Sequence, residues 1–299
     1  MSLLGSAFRA GAKTVDAAAA WGEVAIGDLL HPRRTLDGHD IDAWDPDYIR
    51  RVLPVWRFVM GTYFRGEVRG LDNIPSEGPA LLVGNHSGGT MIADSFVFAG
   101  EFYEHFGPER RFHQLAHDVA ARWPATGLSR WGTVSASHDN ARRAFDKGAP
   151  VLVYPGGDYE TFRPSWHSAR IEFGGRKGFV RLALERRVPI VPVVAIGGQE
   201  TALFVTRGQR VARATGWADK TRIKVLPVAF APPFGVSLLD LPVRLPLPAK
   251  ITIEVLPPID LIERFGADAD HEEVYEQVTG EMQGVLSKLQ DERTVPVAG

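Results

Sequence analysis

Apolar residues along this chain keep two different rhythms. Up to Phe64 they recur at helical spacing, and beyond it they gather in short runs separated by amphipathic stretches. Residues 3–30 read as an amphipathic helix and HPRRTLDGHD as a loop. A second helix is predicted over Pro46–Tyr63, where Trp56, Phe58, Met60, Tyr63 and then Phe64 crowd a short window. Strands are predicted at Gly66–Gly70, Ala80–Asn85, Arg111–Leu115, Val151–Tyr154 and Ile190–Ile196. Helices are predicted at Asp94–Phe106, Asp118–Leu128, Asp139–Lys147 and Arg176–Arg187. Strands separated by helices of this length indicate an α/β sheet with crossover connections. Between Val225 and Pro258 proline recurs at 227, 232, 233, 242, 246, 248, 257 and 258, which excludes long helices and favours extended, edge or loop structure. Lys250–Leu256 (KITIEVL) alternates as one late strand, and His271–Asp291 reads as a charged, amphipathic terminal helix. The expected division is a helical extension over residues 1–64, suited to membrane contact, and an α/β domain over 65–299.

Composition narrows the classes. With 44% hydrophobic and 23% charged residues the chain is ordinary globular material, and a formal net charge of -2 offers no global electrostatic case for nucleic-acid binding. The absence of cysteine excludes disulfides, cysteine-ligated zinc and thiol nucleophiles, and fits a reducing compartment. No run approaches the roughly 18 apolar residues that span a bilayer. Arg9, Lys13, Asp16 and Glu23 interrupt the Ala-rich start, which lacks the compact apolar core of a secretory signal. A soluble or peripheral protein is expected. The aromatic window beside Arg50, Arg51 and Arg57 suits either a helix packed on the core or a headgroup interface.

Candidate chemistry starts at LLVGNHSGGTMIAD (Leu81–Asp94). The apolar run delivers His86 into a Gly88-Gly89 turn, and Asp94 arrives as a helix begins, so a carboxylate can fold back toward an imidazole. A His oriented this way serves as a general base near neutral pH. The plainer reading is a Gly-rich loop with a surface His and an N-capping Asp. Three further blocks follow: Gly132–Ser137, leading into a helix with Arg142 and Arg143; Val153–Glu160 (VYPGGDYE), with Arg163 close behind; and Val188–Val193 (VPIVPV). His113 and His117 stand four apart without a third metal ligand, and Gly84–Gly88 does not match the Gly-x-Ser-x-Gly of serine hydrolases.

In this order the four blocks resemble the glycerolipid acyltransferase superfamily, which includes the lysophosphatidate acyltransferases. The closest likeness is to the branch related to monoacylglycerol and diacylglycerol acyltransferases. The resemblance covers Val68 to Gly198 and, more loosely, the Pro-rich region after it. It implies a glycerol-3-phosphate acyltransferase-like mixed α/β sheet flanked by helices, with an N-terminal helical extension. It also implies an O-acyltransferase moving a fatty acyl group from acyl-CoA or acyl carrier protein, as co-substrate and with no other cofactor or metal, to a hydroxyl of a glycerolipid or lysophospholipid. His86 and Asp94 become the catalytic pair. Ser87, Gly88, Gly89, Pro155, Gly156, Gly157, Asp158, Glu160 and Arg163 become the substrate-binding set. The expected setting is cytoplasmic, peripheral to the inner face of a membrane.

The chain departs from the family pattern in two places. Seven residues separate His86 from Asp94 where the family usually has four, an excess that a Gly-Gly turn absorbs. The family's Phe-Pro-Glu-Gly-Thr-Arg block is also altered, with Gly156 where many relatives carry Glu and Tyr159 where they carry Arg. Asp158, Glu160 or Arg163 could replace them, and a neutral or unusual acceptor gains weight. Two other classes stay open: a lipid esterase or thioesterase using water as acceptor, and a non-catalytic lipid-binding protein of the same fold.

Overall fold

The computed structural model describes residues 38–121, 127–216, 224–238, 240 and 244–295, so the helix expected over residues 3–30 lies outside the described residues. Helix α1 (Pro46–Thr62) starts at a cap the sequence supplies. The Asp45 carboxylate accepts from Tyr48 N at 2.9 Å, and Pro46 takes the first helical position, where no amide donor is needed. There follow β1 (Glu67–Arg69), β2 (Leu81–Gly84), α2 (Ala93–Phe106), β3 (His113–Ala116), α3 (Asp118–Ala121), β4 (Thr133–Ser135) and α4 (His138–Asp146). Next come β5 (Val151–Val153), α5 (Gly157–Thr161), α6 (Gly178–Arg186) and β6 (Ile190–Ile196). The remainder is β7 (Leu203–Thr206), α7 (Gln209–Ala214), β8 (Val228–Ala231), β9 (Gly235–Ser237), β10 (Thr252–Val255), α8 (Leu261–Phe265) and α9 (His271–Asp291).

The expected mixed sheet has seven strands in the order β1-β10-β6-β2-β5-β3-β4, with β10 antiparallel to β6 and every other pairing parallel. Helices cover both faces. On one, α1 and α2 bring Tyr48, Val52, Phe98 and Phe102 onto Leu82, Leu152 and Val191. On the other, α4, α6 and α9 close over Leu81, Val83, Val151 and Ile190. Every residue of β2 and β6 is therefore buried, which is why these strands read as unbroken apolar runs instead of alternating ones.

Helix α1 belongs to that core. Trp56 packs on Phe96 and Trp131 at ring-centroid distances of 5.0 and 5.3 Å, and Ile49, Val52 and Met60 share a cluster with Leu82, so the chain on both sides of residue 64 contributes to one core. Strand β4, a three-residue edge, and β7, β8 and β9, which form a separate antiparallel sheet, are absent from the sequence expectations, as are the short helices α5, α7 and α8. The helix expected over Asp118–Leu128 is described as α3 only, and Leu128 opens a 3-10 turn to Trp131.

Candidate active site

Three neighbouring parallel strands, β5, β2 and β6, end side by side, and the residues after each meet there: Tyr154–Gly157, Asn85–Thr90 and Gly197–Thr201. The carboxyl edge of an α/β sheet, where connections leave in opposite directions, is where such folds place ligands. Asn85 fixes the end of β2 by donating to Ala195 O and accepting from Ala195 N, both at 2.8 Å.

His86 and Asp94 are brought together. His86 Nδ1 lies 3.4 Å from Asp94 Oδ2, and the imidazole stacks on Tyr154 with centroids 4.2 Å apart. Asp94 is buried in the first turn of α2, where its Oδ2 accepts from Ser87 N (2.8 Å) and Ser87 Oγ (3.0 Å), and its Oδ1 from Ser95 N (2.7 Å). Three donors and the helix N-terminus stabilise the carboxylate and fix its direction. The long spacing closes through Gly88 (φ +89) and Gly89 (φ +63), left-handed conformations that favour glycine, followed by a 3-10 turn at Gly89–Met91. Ser87 thereby acts on Asp94, with its amide and hydroxyl both engaged and its side chain buried. The resemblance implies a substrate contact for Ser87, and the contact present is with Asp94.

Glu160 fills the vacancy at Gly156. Its carboxylate accepts from His86 N and from Glu172 N, each at 2.9 Å, and a Cβ on residue 156 would lie 2.4 Å from it. From α5 this carboxylate reaches the His86 backbone. Burial pushes its pKa up to about 7, against the opposing pull of Arg163 and the His86 amide.

Arg163 is fully buried and donates to the carbonyls of His86, Glu160, His167 and Ser168, so it braces two loops. Asp158 likewise pairs with Arg176 (3.3 Å) and accepts from Lys224 N (2.8 Å), while Arg176 holds the carbonyls of Pro155 and Gly156. These cations secure backbone. His113 is a core residue of β3, its Nδ1 3.0 Å from Gly132 O, and burial lowers its pKa to about 4. Among the described residues no group of three His, Cys, Asp or Glu is arranged to hold a metal ion.

Asp240 and Arg244, in the Pro-rich segment, escaped the sequence reading. They form a buried ion pair. Arg244 donates to Gly88 O (2.7 Å) and Thr201 O (2.9 Å), and Asp240 Oδ2 accepts from Thr90 N and Thr90 Oγ1. The pair clasps the Gly88–Thr90 turn from the far side. A Cβ on Gly89 would fall 2.2 Å from Asp240 Oδ2. The available signal was an acid and a base four apart in an apolar, Pro-rich stretch.

Beside this turn lies a cavity of about 510 Å³, walled by Trp56, Met60 and Phe64 of the first helical segment, Met91 and Ala93 before Asp94, and Leu245. Its wall is mostly apolar and begins one residue from Asp94.

Residues 65–196 match the family model described as Acyltransferase. An uncharacterized protein of Mycobacterium tuberculosis is 28% identical over 269 residues, covering 88% of this chain and 72% of that one. A Bos taurus protein named as a DGAT1/2-independent enzyme synthesizing storage lipids is 27% identical over 159 residues, 52% of this chain and 46% of its own. Among solved structures, the 1-acyl-sn-glycerophosphate acyltransferase PlsC of Thermotoga maritima superposes with a TM-score of 0.54 at 15% identity, covering 92% of this chain and 90% of that one. That likeness is one of fold.

Proposed function

We propose that this chain, whose residues 65–196 match the Acyltransferase family model, is an O-acyltransferase that moves a fatty acyl group from a thioester, acyl-CoA or acyl carrier protein, to the hydroxyl of a lipid. The observation that carries this reading is the His86–Asp94 pair set at the strand ends beside an apolar cavity. A hydroxyl is a weak nucleophile at neutral pH. His86 takes its proton through Nε2 as the oxygen attacks the thioester carbon, while Asp94 on the Nδ1 side fixes the tautomer and stabilises the imidazolium. The C–O bond forms, the C–S bond breaks, and the proton held by His86 passes to the departing thiolate. No acyl-enzyme is required. Tyr154, stacked on the ring, and the Asp240–Arg244 clasp hold the geometry.

The acceptor we favour is a neutral lipid alcohol. Arg163 is spent on four backbone carbonyls, Arg176 is engaged by the carbonyls of Pro155 and Gly156 and by Asp158, and the cavity wall is mostly apolar. The bovine relative's name, which refers to storage lipids, agrees with that choice. No helix among the described residues is long and apolar enough to cross a membrane, and we place the protein peripherally, on the cytoplasmic face of the bilayer that holds its acceptor. The test is incubation with labelled acyl-CoA and, in parallel, diacylglycerol, a long-chain alcohol, lysophosphatidate or no acceptor. Ester appearing with the neutral alcohols supports the reading. Preference for lysophosphatidate overturns the choice of acceptor, and thioester cleavage without any acceptor identifies a thioesterase.

A further inference from the structure

The three-stranded sheet turns an apolar face outward. Leu203 of β7 pairs with Phe230 of β8, which pairs in turn with Val236 of β9. The alternate residues Phe204, Ala229 and Ala231 point inward and pack with Phe162, Ala202 and Val225. Leu203, Phe230 and Val236 are 47%, 46% and 73% exposed, and Val205, the hairpin residue Phe234 and Trp166 extend the same apolar surface. Trp166 stands beside the sheet because its neighbour Ser165 accepts from Phe204 N through Oγ at 2.9 Å. An antiparallel sheet that faces water on one side ordinarily carries polar residues there. This one does not, which marks an interaction surface.

Charge indicates the partner. Arg210 and Arg213, on the helix linking β7 to β8, and Lys224 just before β8 are all exposed. Between Thr201 and Leu238 the sequence sets Arg207, Arg210, Arg213, Lys220, Arg222 and Lys224 against one acid, Asp219, in a chain whose formal net charge is -2. Aromatic and aliphatic tips flanked by cations match the boundary between acyl chains and anionic headgroups. The inner face of the same sheet reaches the turn that carries His86. The Phe204 ring lies against Gly89, and Thr201 O accepts from Arg244. We propose that the outer face of the β7-β8-β9 sheet docks on an anionic lipid surface, bringing the mouth of the His86 site to the bilayer. This rests on the reading that the acceptor is a lipid.

The test is co-sedimentation of the full chain with phosphatidylcholine vesicles and with vesicles in which phosphatidylglycerol replaces a third of the lipid. Binding is expected only with the anionic vesicles and falls as salt is raised. Phe230→Ser/Val236→Ser reduces partitioning about tenfold or more through lost apolar burial. Arg210→Gln/Arg213→Gln reduces it about fivefold per charge, and Ile262→Ser, an exposed apolar residue on α8, leaves it unchanged. Quenching of tryptophan emission by brominated lipid, lost in Trp166→Phe, reports the same contact in a chain with an intact sheet. Unchanged partitioning of both double variants overturns the proposal. So does unchanged partitioning combined with conversion of a dimer to a monomer by Phe230→Ser/Val236→Ser, which assigns the face to a second copy. Turnover of a short-chain, water-soluble thioester and alcohol is read alongside. Lost vesicle binding with soluble turnover retained supports the docking face. Vesicle binding lost in the variants while the wild-type chain transfers no acyl group supports the docking face and removes the proposed function.

Discussion

The two sheets of this molecule bury themselves by opposite means. In the seven-stranded sheet every position of β2 and β6 is covered by helices from both sides, and the strand ends can deliver His86, Tyr154 and Gly198 to fixed points. The three-stranded sheet covers only its inner face, with Phe204 and Ala229, and leaves Leu203, Phe230 and Val236 bare. The turn that carries His86 lies between them. Asn85 ties its start to β6, and Asp240 and Arg244, from the segment that follows the small sheet, hold Gly88 and Thr90. A doubly covered sheet thus supplies position, and a half-covered one supplies a grip and a surface.

Breaking the first region has the largest effect. Asp94→Asn places an amide where Ser87 N and Ser95 N both donate, and removes the charge that stabilises the imidazolium. The acyl-transfer rate falls on the order of 10²–10⁴-fold, as steady-state kinetics will read. Breaking the clasp that follows the small sheet comes next. Arg244→Met leaves Asp240 buried without its cation and lowers stability by about 3–5 kcal/mol in denaturant melts. Adding Asp240→Asn restores part of that loss, because the stranded charge is gone. If Arg244→Met folds normally and turns over like the wild type, the clasp has no role.

Glu160 sharpens the comparison through pH. Its folded-state pKa of about 7 lies above the ordinary 4.5, so the folded state holds this proton more tightly than the unfolded one. The contribution is fully present below about pH 4.5 and is lost as pH rises toward about 7. Thermal melts of Glu160→Gln between those limits show a flatter pH dependence than the wild type. The smallest effect is expected on the bare sheet, where Val236→Ser changes stability by no more than about 0.5 kcal/mol. A larger destabilisation in dilute solution means that the face is already covered there by another copy.

Much of the large sheet was legible because doubly buried strands advertise themselves as apolar runs. Ile190–Ile196 and His271–Asp291 match their predicted bounds, and β2, β5 and α2 fall within a residue or two. The small sheet was not, because β7 is four residues long and β8 and β9 lie in the Pro-rich stretch, which reads as extended, edge or loop structure without marking strands. At the site, the sequence pairs His86 with Asp94 but assigns Arg163 and Asp158 to substrate, since spacing shows proximity without showing which way a side chain turns. Of the three candidates for the missing contact, Asp158, Glu160 and Arg163, it is the Glu160 carboxylate that packs against Gly156 and accepts from His86 N. The Asp240–Arg244 clasp spans more than 150 residues of chain to reach Gly88, a contact that local patterns do not reveal.

The most direct test of His86 as the base is single-turnover transfer from labelled acyl-CoA to a lipid alcohol, comparing the wild-type chain with His86→Ala at matched folding by circular dichroism. The proposed chemistry predicts ester formation by the wild type and a loss of about 10²-fold or more in the variant. Ester formation by His86→Ala near the wild-type rate would contradict it.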